Sequence, residues 1–212
     1  MIQALLDADP GDGAGQRQGL TDLLWVVYGQ QTVSWEDWYT PSFFPTGDTG
    51  WNYSSHGVNA AQGLKSGAVI YRMTQGSPQA AASSTARLAL LDEFHGTPVG
   101  TFFADETLSD SMPSHGTELC AVVESIFSLN AMHEALGDAA YADRAERIAY
   151  NALPGTWTSD MLSHQYLQQA NAVNALHQEE HVWLADGPDA TTYGLAPNYR
   201  AWVLNTHTRA LL

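Results

Sequence analysis

Only two residues, Gly137-Asp138, separate two stretches of helical periodicity. A junction that short forces the helices it joins to lie side by side. Upstream, Leu119, Val122, Val123, Ile126, Leu129, Met132 and Leu136 fall on one broad apolar stripe. Thr117 is the expected N-cap of that helix and Gly137 its stop. Asp138 is placed to cap the next helix, in which Tyr141, Ala145, Ile148 and Ala152 repeat at helical spacing until Pro154.

A second hairpin is expected earlier. Val58, Ala61, Leu64, Ala68 and Tyr71 share a helical face up to Gly76. Ser77-Pro78 then supplies an N-cap and an N1 proline, and Ala81, Thr85, Leu88 and Leu91 share a face before Gly96 and Pro98. A helix is also expected around Leu20–Tyr28, and a weaker one around Asp160–Ala175. Glu180–Tyr199, rich in Gly, Pro, Asp and aromatics, reads as a loop, and no strand set stands out. The fold class read from these signals is all-α, built from helical hairpins. About six helices are roughly half of what a closed toroid of paired helices needs, so the chain is expected to be a piece of something larger.

The 212 residues carry 8 Lys+Arg against 23 Asp+Glu, a formal charge of −15. Such a surface repels phosphate backbones and anionic lipid heads, so neither nucleic acid nor membrane is expected as a partner. No apolar run approaches the ~20 residues of a bilayer span. The first residues, Met1-Ile2-Gln3-Ala4-Leu5-Leu6-Asp7, lack the basic start and apolar stretch of a signal peptide, so a cytoplasmic location is the expectation if the chain is complete as written. No sequence feature sets an oligomeric state. The single cysteine, Cys120, excludes an internal disulfide and any all-cysteine metal site within one chain.

Four places carry candidate chemistry. In Gly100–Leu108, Asp105 and Glu106 stand near Phe102 and Phe103; an acid desolvated by apolar rings has a raised pKa and suits proton donation near neutrality. The competing reading is a solvated loop carboxylate. In Gly116-Thr117-Glu118-Leu119-Cys120, Glu118 and Cys120 sit at a helix start, where the dipole favours thiolate, and could supply two ligands of a four-coordinate zinc. The competing reading for Cys120 is a small core residue. His56, before Gly57 at a helix start, could face a pocket mouth. His164 lies among Trp157, Gln165, Tyr166, Gln168 and Gln169, aromatic faces and amides that suit sugar hydroxyls but also ordinary loop packing. His133 reads as structural.

The order of these pieces resembles glycoside hydrolase family 127, the β-L-arabinofuranosidase-type enzymes. The resemblance rests on His56-Gly57-Val58-Asn59, Gly100–Leu108, and Gly116-Thr117-Glu118-Leu119-Cys120. It continues through Gly137-Asp138…Tyr141-Ala142-Asp143-Arg144-Ala145-Glu146…Tyr150-Asn151-Ala152-Leu153-Pro154. It ends with Asp160-Met161…His164-Gln165-Tyr166-Leu167-Gln168-Gln169 and Gly194-Leu195-Ala196-Pro197-Asn198-Tyr199. It runs from about Trp51 to Tyr199.

The resemblance implies an (α/α)6-barrel catalytic domain, of which residues 1–212 are expected to be a part, without the rest of the barrel or the β-rich domains that follow it. It implies a carbohydrate substrate and retaining hydrolysis of terminal β-L-arabinofuranosides or related plant-polysaccharide sugars. A zinc-bound cysteine thiolate would attack the anomeric carbon, with Glu106 as general acid/base, Glu118 and Cys120 as zinc ligands, and His56 beside the sugar. The family's Pro-Asn-Tyr is followed by Gly-Cys-Cys, whereas Pro197-Asn198-Tyr199 is followed here by Arg200-Ala201-Trp202. The zinc ligand set is therefore incomplete and impaired turnover is expected. The alternatives are a non-catalytic carbohydrate-binding or decayed fragment, or an inverting barrel using Asp105 and Glu106 with a second carboxylate.

Overall fold

A computed structural model describes residues 14–30, 55–74, 76–170, 172 and 175. The helices are α1 (Ala14–Gly29), α2 (Gly57–Gly63), α3 (Ser66–Met73), α4 (Pro78–His95), α5 (Leu119–Leu136), α6 (Ala139–Tyr150) and α7 (Ala152–Gly155). Short strands β1 (Ala104–Asp105), β2 (Thr107–Leu108), β3 (Gly116–Glu118) and β4 (Leu167–Gln169) form a four-stranded patch in the order β2-β1-β3-β4. The all-α reading holds, since the strands are only two or three residues long and the core is helical.

The Gly137-Asp138 junction behaves as its residues require. Gly137 adopts the left-handed conformation (φ 72°) and the Asp138 carboxylate accepts the Ala140 N–H at 2.9 Å. Helix α6 therefore turns back onto α5. The salt link made from the middle of α6 is bidentate. Arg144 donates to both carboxylate oxygens of Asp92 at 2.6 Å and to the Gly100 carbonyl at 2.9 Å, tying α6 to the end of α4 and the turn beyond it.

Helix α5 is the centre of the molecule. It packs on α2, α3 and α6, and Val122, Ile126, Leu129 and Met132 join Leu64, Leu91, Phe102, Tyr141 and Ile148 in one core. By length and composition α5 could cross a bilayer, but most of it is buried inside the fold. Small residues let α2 approach closely: Ala60 and Ala61 face α5, and the Ser128 hydroxyl donates to the Ala61 carbonyl at 2.7 Å. That bond satisfies a hydroxyl that would be costly to bury alone.

Four local expectations need correction. The period from Val58 to Tyr71 is broken into α2 and α3, because the Gly63 carbonyl turns to the Ser66 hydroxyl (2.5 Å) and to the buried Arg87 guanidinium (3.4 Å). Thr117 does not cap α5. It lies in β3, donates to the Phe102 carbonyl, and leaves Glu118 at the N-cap position. Pro154 does not end α6, which stops at Tyr150; Asn151 makes the break and Pro154 lies within α7. The described residues of Asp160–Ala175 are not helical: Thr158 and Asp160 form a hydrogen-bonded turn, and Leu167–Gln169 pairs with β3. The expected loop at Glu180–Tyr199 lies outside the described residues.

Candidate active site

The strand patch holds the site together. Backbone pairing laces residues 55–57 to 106–108, with Leu108 N–H donating to the Ser55 carbonyl (2.6 Å) and Gly57 N–H to the Glu106 carbonyl (2.9 Å). β1 runs parallel to β3, with Ala104 opposite Thr117, and β3 pairs antiparallel with β4, with Glu118 opposite Leu167. Leu119 N–H donates to the Tyr166 carbonyl at 2.8 Å. Four distant positions are thereby held in register: His56, Glu106, Glu118 and Tyr166.

Gly57 is indispensable to this register. A Cβ there would stand 2.5 Å from the Ala104 Cβ, and neither can retreat without breaking the backbone pairing. Gly57→Ala is expected to cost about 1–3 kcal/mol in thermal denaturation. Gly19→Ala, on α1 where a Cβ meets nothing within 4 Å, is expected to be neutral or stabilising by up to about 1 kcal/mol. Equal effects of the two changes would refute the steric account.

Glu106 occupies the left-handed region at φ 74°, a conformation costly for a side chain with a Cβ. It turns its carboxylate away from that of Asp105. Its Oε1 lies 3.2 Å from His56 Nε2 and its Oε2 accepts the Tyr166 hydroxyl at 2.5 Å. Asp105 is spent on structure: it accepts the Gly116 N–H (2.5 Å) and meets His115 Nδ1 (2.5 Å), whose other ring nitrogen faces Asp110 at 3.4 Å. The two neighbouring carboxylates do not act as one pair, which removes the geometric support for an inverting scheme built on both.

The electrostatics differ from the sequence expectation at two residues. The hydrogen bond with His56 outweighs desolvation and, with that from Tyr166, holds the Glu106 carboxyl below its ordinary value. The same bond raises the His56 imidazole against the opposing effect of burial. Cys120 is not a primed thiolate. Burial, then the negative charge of Glu118, push its thiol up, with Glu106 and Glu124 adding to the effect. The helix-start dipole does not prevail against desolvation and three carboxylates. Glu118 is itself pushed up to about 7 by burial first and the Glu106 charge second.

The residues are suited to a divalent cation. Ligand atoms of His56, Glu106 and Glu118 lie within 4.8 Å of one another. Glu118 is 3% exposed and its Oε2 has no hydrogen-bond partner. Cys120, buried beside it, hydrogen-bonds the Glu118 carboxyl. Imidazole, carboxylate and thiol donors are those zinc takes. The structure thus brings together His56, Glu106, Glu118 and Cys120.

His164 stands apart from that set, stacked on Trp157 with ring centroids 5.1 Å apart. The residue from its stretch that reaches the carboxylates is Tyr166, which sequence reasoning valued only as an aromatic face. Its position two residues from His164 was the available signal, but only the β3–β4 pairing reveals where its hydroxyl goes. Arg200-Ala201-Trp202 lies outside the described residues.

Comparison with known proteins agrees with the motif order over part of the chain. Residues 95–186 match the family model described as β-L-arabinofuranosidase, GH127 catalytic domain. That segment contains Glu106, Glu118, Cys120 and His164 and leaves His56 outside. No curated protein and no solved structure matches the chain.

Proposed function

We propose, from the match of residues 95–186 to the GH127 catalytic domain, that this chain is a glycoside hydrolase of the arabinofuranosidase family with impaired turnover. Its substrate class would be terminal β-L-arabinofuranosides or related plant-polysaccharide sugars. The whole chain, residues 1–212, would be a partial (α/α)6-barrel catalytic domain. The observation that carries the reading is the meeting of Glu106, Glu118 and Cys120 with His56, from four sequence positions that the motif order singles out.

In this reading Glu106 is the proton-transfer group. Tyr166 and His56 fix its two oxygens, and its side chain stays 38% exposed, so a glycosidic oxygen could approach it. His56 would contact the sugar beside it, and His164 with Trp157 would offer an aromatic wall. Glu118 and Cys120 would be two ligands of a zinc ion, which when bound would supply charge to stabilise a thiolate. Two features support impairment. Arg200-Ala201-Trp202 stands directly after Pro197-Asn198-Tyr199 where the family has cysteines, so that motif does not supply an attacking thiol beside Cys120. Glu106 also rests on the ionised side, which weakens its acid limb.

The test is hydrolysis of an aryl β-L-arabinofuranoside by the purified chain beside a complete member of the family. The expected kcat/KM is lower by roughly a thousandfold or more. Saturable sugar binding with no turnover would favour the carbohydrate-binding alternative, and a rate close to the complete enzyme would overturn impairment. Any residual rate is expected to fall by a further 10²–10⁴-fold or so in Glu106→Gln.

A further inference from the structure

We propose that Asp105 and His115 are a positioning pair for Glu106, holding the turn that presents its carboxylate to His56 and Tyr166. The catalytic meaning of the pair rests on the hydrolase reading, in which Glu106 transfers the proton; the placement itself does not. Glu106 is the whole of the turn between β1 and β2. Ala104 faces Leu108 and Asp105 faces Thr107, so a single residue reverses the chain, and it does so at φ 74°. A residue with a Cβ stays in that region only where its surroundings over-determine it. Three holds do so here. Gly57 N–H donates to the Glu106 carbonyl, and Leu108 N–H to the Ser55 carbonyl. The third hold is Asp105, whose side chain is 6% exposed. Its Oδ1 accepts the Gly116 N–H at 2.5 Å and its Oδ2 lies 2.5 Å from His115 Nδ1. Two directional bonds to one buried carboxylate fix the rotation of residue 105, and with it the peptide leading into Glu106. An apolar side chain would fill the same space without setting that rotation.

Both partners of Asp105 are themselves anchored. Gly116 lies on β3, where a Cβ would come 2.5 Å from the Gln168 carbonyl oxygen, so the bare backbone lets β3 and β4 close up and sets the Gly116 N–H in place. His115 N–H donates to the Met112 carbonyl at 2.9 Å. The ring's Nε2 faces Asp110 Oδ1 at 3.4 Å, an oxygen that also accepts the Met112 N–H at 3.3 Å. The Gln169 side-chain amide donates to the Ser114 carbonyl, which ties the same turn to β4. The imidazole thus bridges the 110–115 turn and the strand that leads into Glu106. A carboxylate only accepts, so Nδ1 carries the hydrogen that meets Asp105. That short contact, rather than the longer one to Asp110, is the one that holds the pair together.

The experiment is NMR of the isotope-labelled full chain without substrate. The Cα and Cβ chemical shifts of Glu106 report its backbone φ, and exchange of the Gly57 amide reports the bond to the Glu106 carbonyl. His115→Phe keeps a ring and loses the donor. Its Glu106 shifts should leave the left-handed values, and Gly57 exchange should quicken about tenfold or more. His115→Asn sets an amide N–H where Nδ1 stood, and should restore the parent shifts with exchange within about threefold of the parent. Leu129→Ala, which weakens the core elsewhere, should leave the Glu106 shifts in place, so loss of stability alone does not imitate the effect. Parent-like Glu106 shifts in His115→Phe would overturn the proposal. So would a His115→Asn as displaced as His115→Phe, or a Leu129→Ala that moves the same shifts. If His115→Phe does not fold, His115→Gln, whose amide reproduces Nε2 rather than Nδ1, is read in its place. These signals need no turnover: a chain that hydrolyses no arabinofuranoside would sink the hydrolase reading and leave the placement standing, and unmoved shifts would do the reverse.

Discussion

Replacing Glu118 by Gln is expected to flatten the decline of stability with rising pH. Burial and the Glu106 charge raise the folded-state pKa of Glu118 from 4.5 to about 7. A group raised on folding contributes stability that is complete below its unfolded pKa and lost as pH climbs through the folded one. The window is therefore pH 4.5 to about 7, and the loss across it is roughly 3 kcal/mol. Gln matches the protonated acid in shape and cannot ionise. Parent and variant should have similar stability near pH 4.5, and the variant should lead by up to about 3 kcal/mol above pH 7.

The neighbouring pair works differently. Glu106 is lowered and His56 raised by their mutual hydrogen bond. The Glu106 contribution is lost as pH falls through its lowered value, and the His56 contribution is lost as pH rises through its raised one. Both act in parent and variant. Losing the Glu118 charge also removes a smaller influence that raises His56, so the difference between the two curves reports Glu118 together with its coupling to that pair. Denaturant midpoints between pH 4.5 and 8.5 in the presence of chelator give the measurement. Parallel curves would mean that folding leaves the pKa of Glu118 at its ordinary value.

Leu129→Ala is expected to destabilise by about 3 kcal/mol, within the 2–5 range for removing a buried leucine side chain. Leu129 is 1% exposed on α5, in the cluster that joins α2, α4 and α6. Close helix packing leaves little freedom for the surroundings to collapse into the cavity. For a chain of this length the melting temperature should drop by roughly 6–12 °C. Leu162→Ala is the control. Leu162 is 72% exposed in the turn after Asp160, and its loss should fall within about 0.5 kcal/mol. A small effect at Leu129 would mean that α5 is not the centre of the core.

How much of this was legible in the residues follows from the range of each interaction. The α5–α6 hairpin was legible because Gly137 and Asp138 act locally: one residue tolerates a left-handed turn and the next accepts its own helix's N–H. The start of α4 at Ser77-Pro78 was legible for the same reason. The break between α2 and α3 was not, because it depends on Arg87, which lies on α4 and reaches back to the Gly63 carbonyl. The strands were missed because two- and three-residue segments are too short to show a period. Thr117 looked like a cap until β1 and β4 claimed its backbone.

The candidate site divides along the same line. The residue types and their order marked Glu106, Glu118, Cys120 and His56, since those depend only on what each side chain can do chemically. Their charge states were decided by the fold. Glu106 was open between a desolvated, raised acid and a solvated loop carboxylate; it is half-buried and lowered, because His56 arrives from 50 positions away and Tyr166 from 60. Cys120 was open between a thiolate at a helix start and a small core residue, and packing decides for the second: it sits in a core cluster with Leu119 and Val123, where burial and neighbouring carboxylates push its thiol up. Hydrogen-bonding capacity, turn propensity and helical period belong to the residue and its near neighbours, and the sequence by itself determined them. Desolvation and Coulomb energy depend on what the fold places around a group, and only the tertiary structure decided those.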